Sequence, residues 1–127
     1  MCFDFPYGIL AAMEILQLAN GVYVVTQPAG FLDRRTTPEL EAALDRLLSE
    51  KSSHLVVDLS NVTEMSSAGL RVLINATKRA RALAGGDVRL VAPGRRVVEV
   101  LDLAGLLSVI HVFPTREDAV ASFQPAN

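Results

Sequence analysis

Two periodicities of apolar residues alternate along this chain, and their alternation lays out its elements. Leu40, Ala43, Leu44, Leu47 and Leu48 share one stripe at helical spacing, which predicts a first helix there. Pro38 falls in its first turn, where a missing N–H costs nothing. Thr36 and Glu39 have the spacing of a capping box, while Thr37 before Pro38 is the rival cap. A second helix is expected from Ser66 or Ser67 to about Leu83. Leu70, Leu73, Ile74 and Thr77 line one of its faces, and Arg71, Asn75, Lys78 and Arg79 another. Gly85-Gly86 stops it. Pro93-Gly94 opens a third helix that runs to about Leu103 and ends at Gly105, and Thr115 caps a fourth over Arg116 to Ser122.

Between the helices the period shortens. Glu14 to Leu18 alternates polar and apolar residues, and Asn20-Gly21 favours a two-residue hairpin turn into the β-branched run Val22 to Thr26. Pro28 and Gly30 interrupt pairing and leave Gly30 to Leu32 as a short extra strand segment. Leu55-Val56-Val57-Asp58-Leu59 reads as a buried central strand, followed by a loop from Ser60 to Met65. Val88 to Ala92 and Val109 to Phe113 complete the strands. Strands alternating with helices predict an α/β fold. Its sheet is mixed and mostly parallel, of about four to six strands, with about four helices, and antiparallel only at the opening hairpin. There is no internal repeat and no low-complexity linker, so residues 13–124 are expected to form one domain, with 1–12 an N-terminal extension and 125–127 a C-terminal tail. Met13 is an alternative natural start.

Composition narrows the function. Of the 127 residues, 50% are hydrophobic and 20% charged, enough to bury a core. A net charge of -2, with bases scattered among acids, argues against a nucleic-acid partner. The single cysteine, Cys2, excludes a disulfide framework within the chain and a cysteine zinc site, and it suits a reducing cytoplasm. No apolar run reaches the ~18 residues of a membrane helix, so no membrane insertion is expected. Met1 to Ala12 lacks a basic start and carries Asp4 and Pro6, unlike a signal peptide. Three readings stay open for the apolar start from Cys2 to Ile9: it extends the sheet, pairs with a second copy at a strand edge, or is disordered. A weak homodimer is the expectation.

Candidate chemistry is sparse. His54 and His111 each sit in or at the start of a strand with no second ligand at metal spacing, so they read as packing or edge residues, and no metal site is expected. Ser66 and Ser67 lack the glycine that precedes a hydrolase nucleophile. Gly85-Gly86 follows a helix and precedes a strand, the reverse of a phosphate loop, so no cofactor is expected. Arg79, Arg81, Arg95 and Arg96 read as solvated helix faces rather than a basic patch. What stands out is position. Asp58 to Leu70 is small and polar directly after a buried strand, where parallel sheets collect function. Gly69 lies in the first turn of a helix, where glycine is ~1 kcal/mol worse than alanine. Something is expected to approach it closely. The serine pair either only caps the helix or is a working surface.

At these residues the chain resembles the STAS domains of bacterial anti-sigma factor antagonists. Asp58 to Leu70, followed by Arg71-Val72-Leu73, is similar to the family's signature. Gly30-Phe31-Leu32-Asp33-Arg34-Arg35-Thr36 resembles its segment before the first helix, and Val100-Leu101-Asp102-Leu103-Ala104-Gly105-Leu106 the end of its third. The resemblance spans about Met13 to Phe123. It implies a non-enzymatic regulator that binds an anti-sigma factor with serine kinase activity and so releases a sigma factor. Phosphorylation of a serine at the start of the second helix ends the binding, and a metal-dependent, PP2C-type phosphatase restores it. Counted back from Gly69, that serine is Ser67, with Ser66 as the rival acceptor. The partner surface implied comprises Phe31, Asp33, Thr36, Ser60, Asn61, Ser66, Ser67, Ala68, Gly69 and Arg71. The chain departs from the family at Ser66, where an aspartate is usual, at Ala68, where serine or threonine is common, and at Phe31 in place of glutamate. These departures keep an alternative in view: a STAS scaffold or transporter-associated regulatory subunit without sigma control.

Overall fold

The run of apolar residues after His54 forms the middle of the main sheet. In this computed structural model, which describes residues 13–18 and 20–123, that strand is His54–Asp58 (β4). Leu55, Val56 and Val57 are fully buried, so both of its faces are covered and the run need not alternate. The sheet has five strands, in the order Glu14–Gln17 (β1), Val22–Thr26 (β2), β4, Asp87–Val91 (β6) and Val112–Phe113 (β7). β1 pairs antiparallel with β2, Ile15 opposite Val25 and Leu16 opposite Val24. Every other pair in the sheet is parallel. The expectations placed on residues 1–12 and 125–127 lie outside the described residues.

The opening hairpin differs from the expected two-residue turn. The Leu18 N–H donates to the Val22 carbonyl at 2.8 Å and the Gly21 N–H to the Leu18 carbonyl at 3.1 Å, so pairing runs on to Leu18 and Val22 and the connection is not the Asn20-Gly21 pair alone. Gly21 closes it at φ 83°, a left-handed conformation that glycine adopts without a Cβ clash. The Asn20-Gly21 pair therefore marks the turn but not its length.

Three helices, Thr37–Ser49 (α1), Ser67–Arg81 (α2) and Arg95–Leu103 (α3), share the larger apolar cluster. All five residues of the predicted α1 stripe are buried. The buried face of α2 turns further toward Val72 and Ala76 than the sequence reading placed it, leaving Leu70 and Ile74 half-buried. Arg116–Ala121 (α4) covers the other face through Ala119, over Val22, Val24, Val56 and Val91.

Two segments depart from expectation. The stretch read as a loop contains a strand, Val62–Met65 (β5), paired in parallel with Gly30–Leu32 (β3) in a separate two-stranded sheet. Val62 and Met65 turn inward while Thr63 is exposed. The polar middle of this strand hid it. The last strand is also shorter than Val109 to Phe113. A 3-10 turn, Leu106–Ser108, precedes it, and the N–H groups of Val109 and Ile110 both donate to the Leu106 carbonyl. Ile110 is thereby buried in the core and not in the ladder.

Candidate functional site

β4 ends on a carboxylate. Asp58 Oδ1 accepts from the Ser60 N–H at 2.9 Å, which turns the chain out of the sheet. Its Oδ2 takes Nε of Arg116 at 2.6 Å, and the same guanidinium donates to Thr26 Oγ1 at 2.6 Å. The Asp58 side chain is only 5% exposed. Burial alone would raise its pKa, but the hydrogen bonds from Ser60 and Arg116 and the Arg116 charge outweigh burial and hold the carboxyl below its ordinary range. Sequence reading missed this cross-link, because Arg116 lies far along the chain. Its one signal was an acid ending an apolar run.

From this base two loops are laced together. The Gly30 N–H donates to the Asn61 carbonyl at 3.2 Å, and the Ser66 N–H to the Leu32 carbonyl at 3.0 Å. Asp33 and Thr36 brace the first loop. The Thr36 hydroxyl donates to the Phe31 carbonyl at 2.8 Å and accepts from the Asp33 N–H at 2.9 Å, while the Asp33 carboxylate accepts from the Arg35 N–H at 2.9 Å. Thr36 occupies the N-cap position of α1, yet its hydroxyl makes no cap bond. The capping box is thus not formed, because the loop holds that hydroxyl instead. Phe31 projects beside this brace, 56% exposed.

The second loop delivers the serines. Ser66 is the N-cap of α2, its Oγ accepting from the Ala68 N–H at 3.2 Å. Ser67 is the first helical residue and is exposed, and its hydroxyl has no hydrogen-bond partner among the described residues. Ala68 is half-buried, and Arg71 is exposed one turn into the helix. Ser60 and Asn61 are exposed where β4 gives way to β5. Phe31, Asp33, Thr36, Ser66 and Ser67 therefore lie around the start of α2, whereas Ser60 and Asn61 sit at the opposite end of β5, beside Gly30.

Gly69 is different. It is buried, and a Cβ there would stand 2.7 Å from Cγ of Met65 and 3.1 Å from Cγ of Leu32. The close approach that glycine implies is internal: β3 and β5 press their terminal side chains against the helix. Gly69→Val is therefore expected to lower unfolding stability by about 1–3 kcal/mol. Urea unfolding checks it. A midpoint equal to that of the native protein would show that Met65 and Leu32 yield without strain.

The arginines of the helix faces make ion pairs rather than a patch: Arg79 with Asp45, Arg81 with Asp87, Arg95 with Glu99 and Arg96 with Glu64. His54 stacks on Phe123, ring centroids 4.8 Å apart. Among the described residues no group of three His, Cys, Asp or Glu side chains is placed to hold a metal ion, and no helix is long and apolar enough to cross a membrane.

A mixed five-stranded sheet whose helices leave one braced, serine-bearing rim open defines a small binding module. The family model for the STAS domain matches residues 15–119. An anti-sigma-B factor antagonist of Staphylococcus epidermidis is 35% identical over 102 residues, covering 79% of this chain and 92% of the relative. Among solved structures, an anti-sigma factor antagonist from Mycobacterium paratuberculosis superposes with a TM-score of 0.77 at 28% identity, covering 90% of this chain and 94% of that one. The phosphorylated form of the Bacillus cell fate determinant SpoIIAA has the same fold, with a TM-score of 0.70 at 18% identity, covering 89% of this chain and 100% of that one. The chain belongs to the STAS domain family and, within it, to the anti-sigma factor antagonists. It is a regulator and not an enzyme.

Proposed function

We propose that this chain is a cytoplasmic anti-sigma factor antagonist whose exposed surface, Phe31, Asp33, Thr36 and the Ser66–Ser67 pair together with Ser60 and Asn61 at the other end of β5, binds an anti-sigma factor with serine kinase activity, releasing a sigma factor. Residues 13–124 form the binding domain, with 1–12 an extension and 125–127 a tail. Phosphorylation of Ser67 ends the binding, and a PP2C-type phosphatase restores it. The observation that carries this reading is the division of labour between the serines. The Ser66 oxygen is engaged as the helix cap, whereas Ser67 is exposed with its hydroxyl unengaged. A kinase base can take the Ser67 hydroxyl proton while Oγ bonds to the γ-phosphorus of ATP and ADP departs, and no hydrogen bond of the fold has to break.

Incubation with the cognate anti-sigma kinase and ATP, followed by mass spectrometry, tests the assignment. Phosphate is expected on Ser67, retained in Ser66→Ala and absent from Ser67→Ala. Phosphate on Ser66 alone, or on neither serine, would overturn it.

A further inference from the structure

Acidic residues outnumber basic ones in this chain, 14 to 12, so no shortage of carboxylates forces any arginine to stand alone. Seven of the arginines reach a carboxylate, from Arg46 on α1 to Arg116 on α4. Three do not, among the described residues: Arg34, Arg35 and Arg71. All three are exposed, and all three lie on the two segments that meet at the start of α2. Arg71 follows Ser67 by four residues on α2. Arg34 and Arg35 follow Leu32, whose carbonyl accepts the Ser66 N–H at 3.0 Å. Among the described residues the lysines are also without an ion pair, but Lys78 lies eleven residues beyond Ser67 on α2, roughly 16 Å along the axis, and Lys51 follows the far end of α1.

The acids near this group do not cancel it. Glu64 on β5 pairs with Arg96 at 2.7 Å. Asp33 contributes one negative charge, its oxygen turned to the Arg35 backbone. Glu39, exposed in the first turn of α1, contributes another. The first turn of α2 holds no acid. Three arginines less these two acids leave a local charge of about +1, which a phosphate at -1.5 to -2 reverses.

We propose that Arg71, flanked by Arg34 and Arg35, is a built-in receiver for a phosphomonoester carried on Ser67. Residues four apart on a helix are neighbours, and side chains lean toward the helix N-terminus, which brings the Arg71 guanidinium over the preceding turn and Ser67. A guanidinium fork matches two phosphate oxygens, a fit that an ammonium lacks. The domain thus holds its own phosphate. In doing so it withdraws three positive charges from the rim at the moment the anion arrives, so one modification changes both the shape and the charge that a partner meets. The biological use of the receiver rests on Ser67 being the acceptor. Its existence does not.

Phosphoserine installed at position 67 during translation separates the two. The probe is a phosphorus NMR titration of that phosphoserine in three proteins: the native background, Arg71→Gln, and Arg71→Gln combined with Arg34→Gln and Arg35→Gln. The midpoint of the second phosphate ionisation is expected to lie about half a pH unit lower in the native background than in Arg71→Gln, and to rise again in the triple variant. Arg71→Lys is expected to recover part of the shift, and about 1 M salt to shrink it. One midpoint shared by all the proteins would overturn the receiver. Shifted midpoints without kinase labelling of Ser67 would sink the kinase reading and leave the receiver standing, whereas labelling with identical midpoints would do the reverse.

Discussion

Phosphorylated at Ser67, the protein is expected to bind its anti-sigma partner at least about a hundredfold more weakly, while its melting temperature does not fall. Two magnitudes set the first half of this result. Desolvating the phosphate and the arginines around it in an interface shaped for a serine hydroxyl costs several kcal/mol, and a hundredfold in affinity needs only ~2.8 kcal/mol. The second half follows from where the charge lands. Ser67 is the first residue of α2, whose first turn holds no acid, and an anion there gains roughly 0.3–1 kcal/mol from the helix dipole. The phosphate therefore alters the surface and not the core. Titration calorimetry with the anti-sigma factor, paired with thermal melts of both forms, measures each half. Ser67→Ala is expected to bind like the unmodified protein, and Ser67→Asp to lose less than the phosphoprotein because it carries a single charge. An affinity for the phosphoprotein within tenfold of the unmodified one would mean that the start of α2 lies outside the interface.

The parts of the fold legible in the sequence were those whose pattern is set by burial on one side or on both. The α1 stripe from Leu40 to Leu48 and the apolar run of β4 declare themselves because each position repeats one environment. β5 did not, since Thr63 and Glu64 in its middle meet solvent and an ion pair, and its partner is a three-residue strand rather than the main sheet. The end of the chain misled for another reason. Val109 and Ile110 have strand composition, but a 3-10 turn had already claimed their N–H groups. At the rim, composition and spacing located the serines, while the task of each became visible only in the hydrogen bonds: Ser66 caps, Thr36 braces the loop, and Gly69 makes room for Met65 and Leu32. Pairwise cross-links between distant segments, such as Arg116 with Asp58, leave no periodic trace at all.

That cross-link underlies the largest stability effect expected outside the core. Arg116→Met keeps most of the aliphatic bulk but strands the Asp58 carboxylate, 5% exposed, with only Ser60 to hold it. Breaking a fully buried ion pair costs about 3–5 kcal/mol. Because the Arg116 side chain is 38% exposed and water can reach the vacated side, a loss of about 2–3 kcal/mol at pH 7 is expected. The pH dependence identifies the cause. In the native protein the Asp58 pKa is held below its ordinary value, so its contribution is complete above about pH 4 and is lost as pH falls through the lower, folded value. In Arg116→Met the Ser60 hydrogen bonds alone oppose burial, so the folded pKa lies higher than in the native protein. Protonation then relieves the stranded charge, and the variant's deficit against the native protein narrows as the solution is acidified. The two proteins should thus differ most at neutral pH and converge as pH falls through the lowered pKa of native Asp58. Urea unfolding at several pH values measures this. A deficit that is the same at pH 7 and at low pH would assign the loss to packing around the Arg116 stem and not to the charge of Asp58.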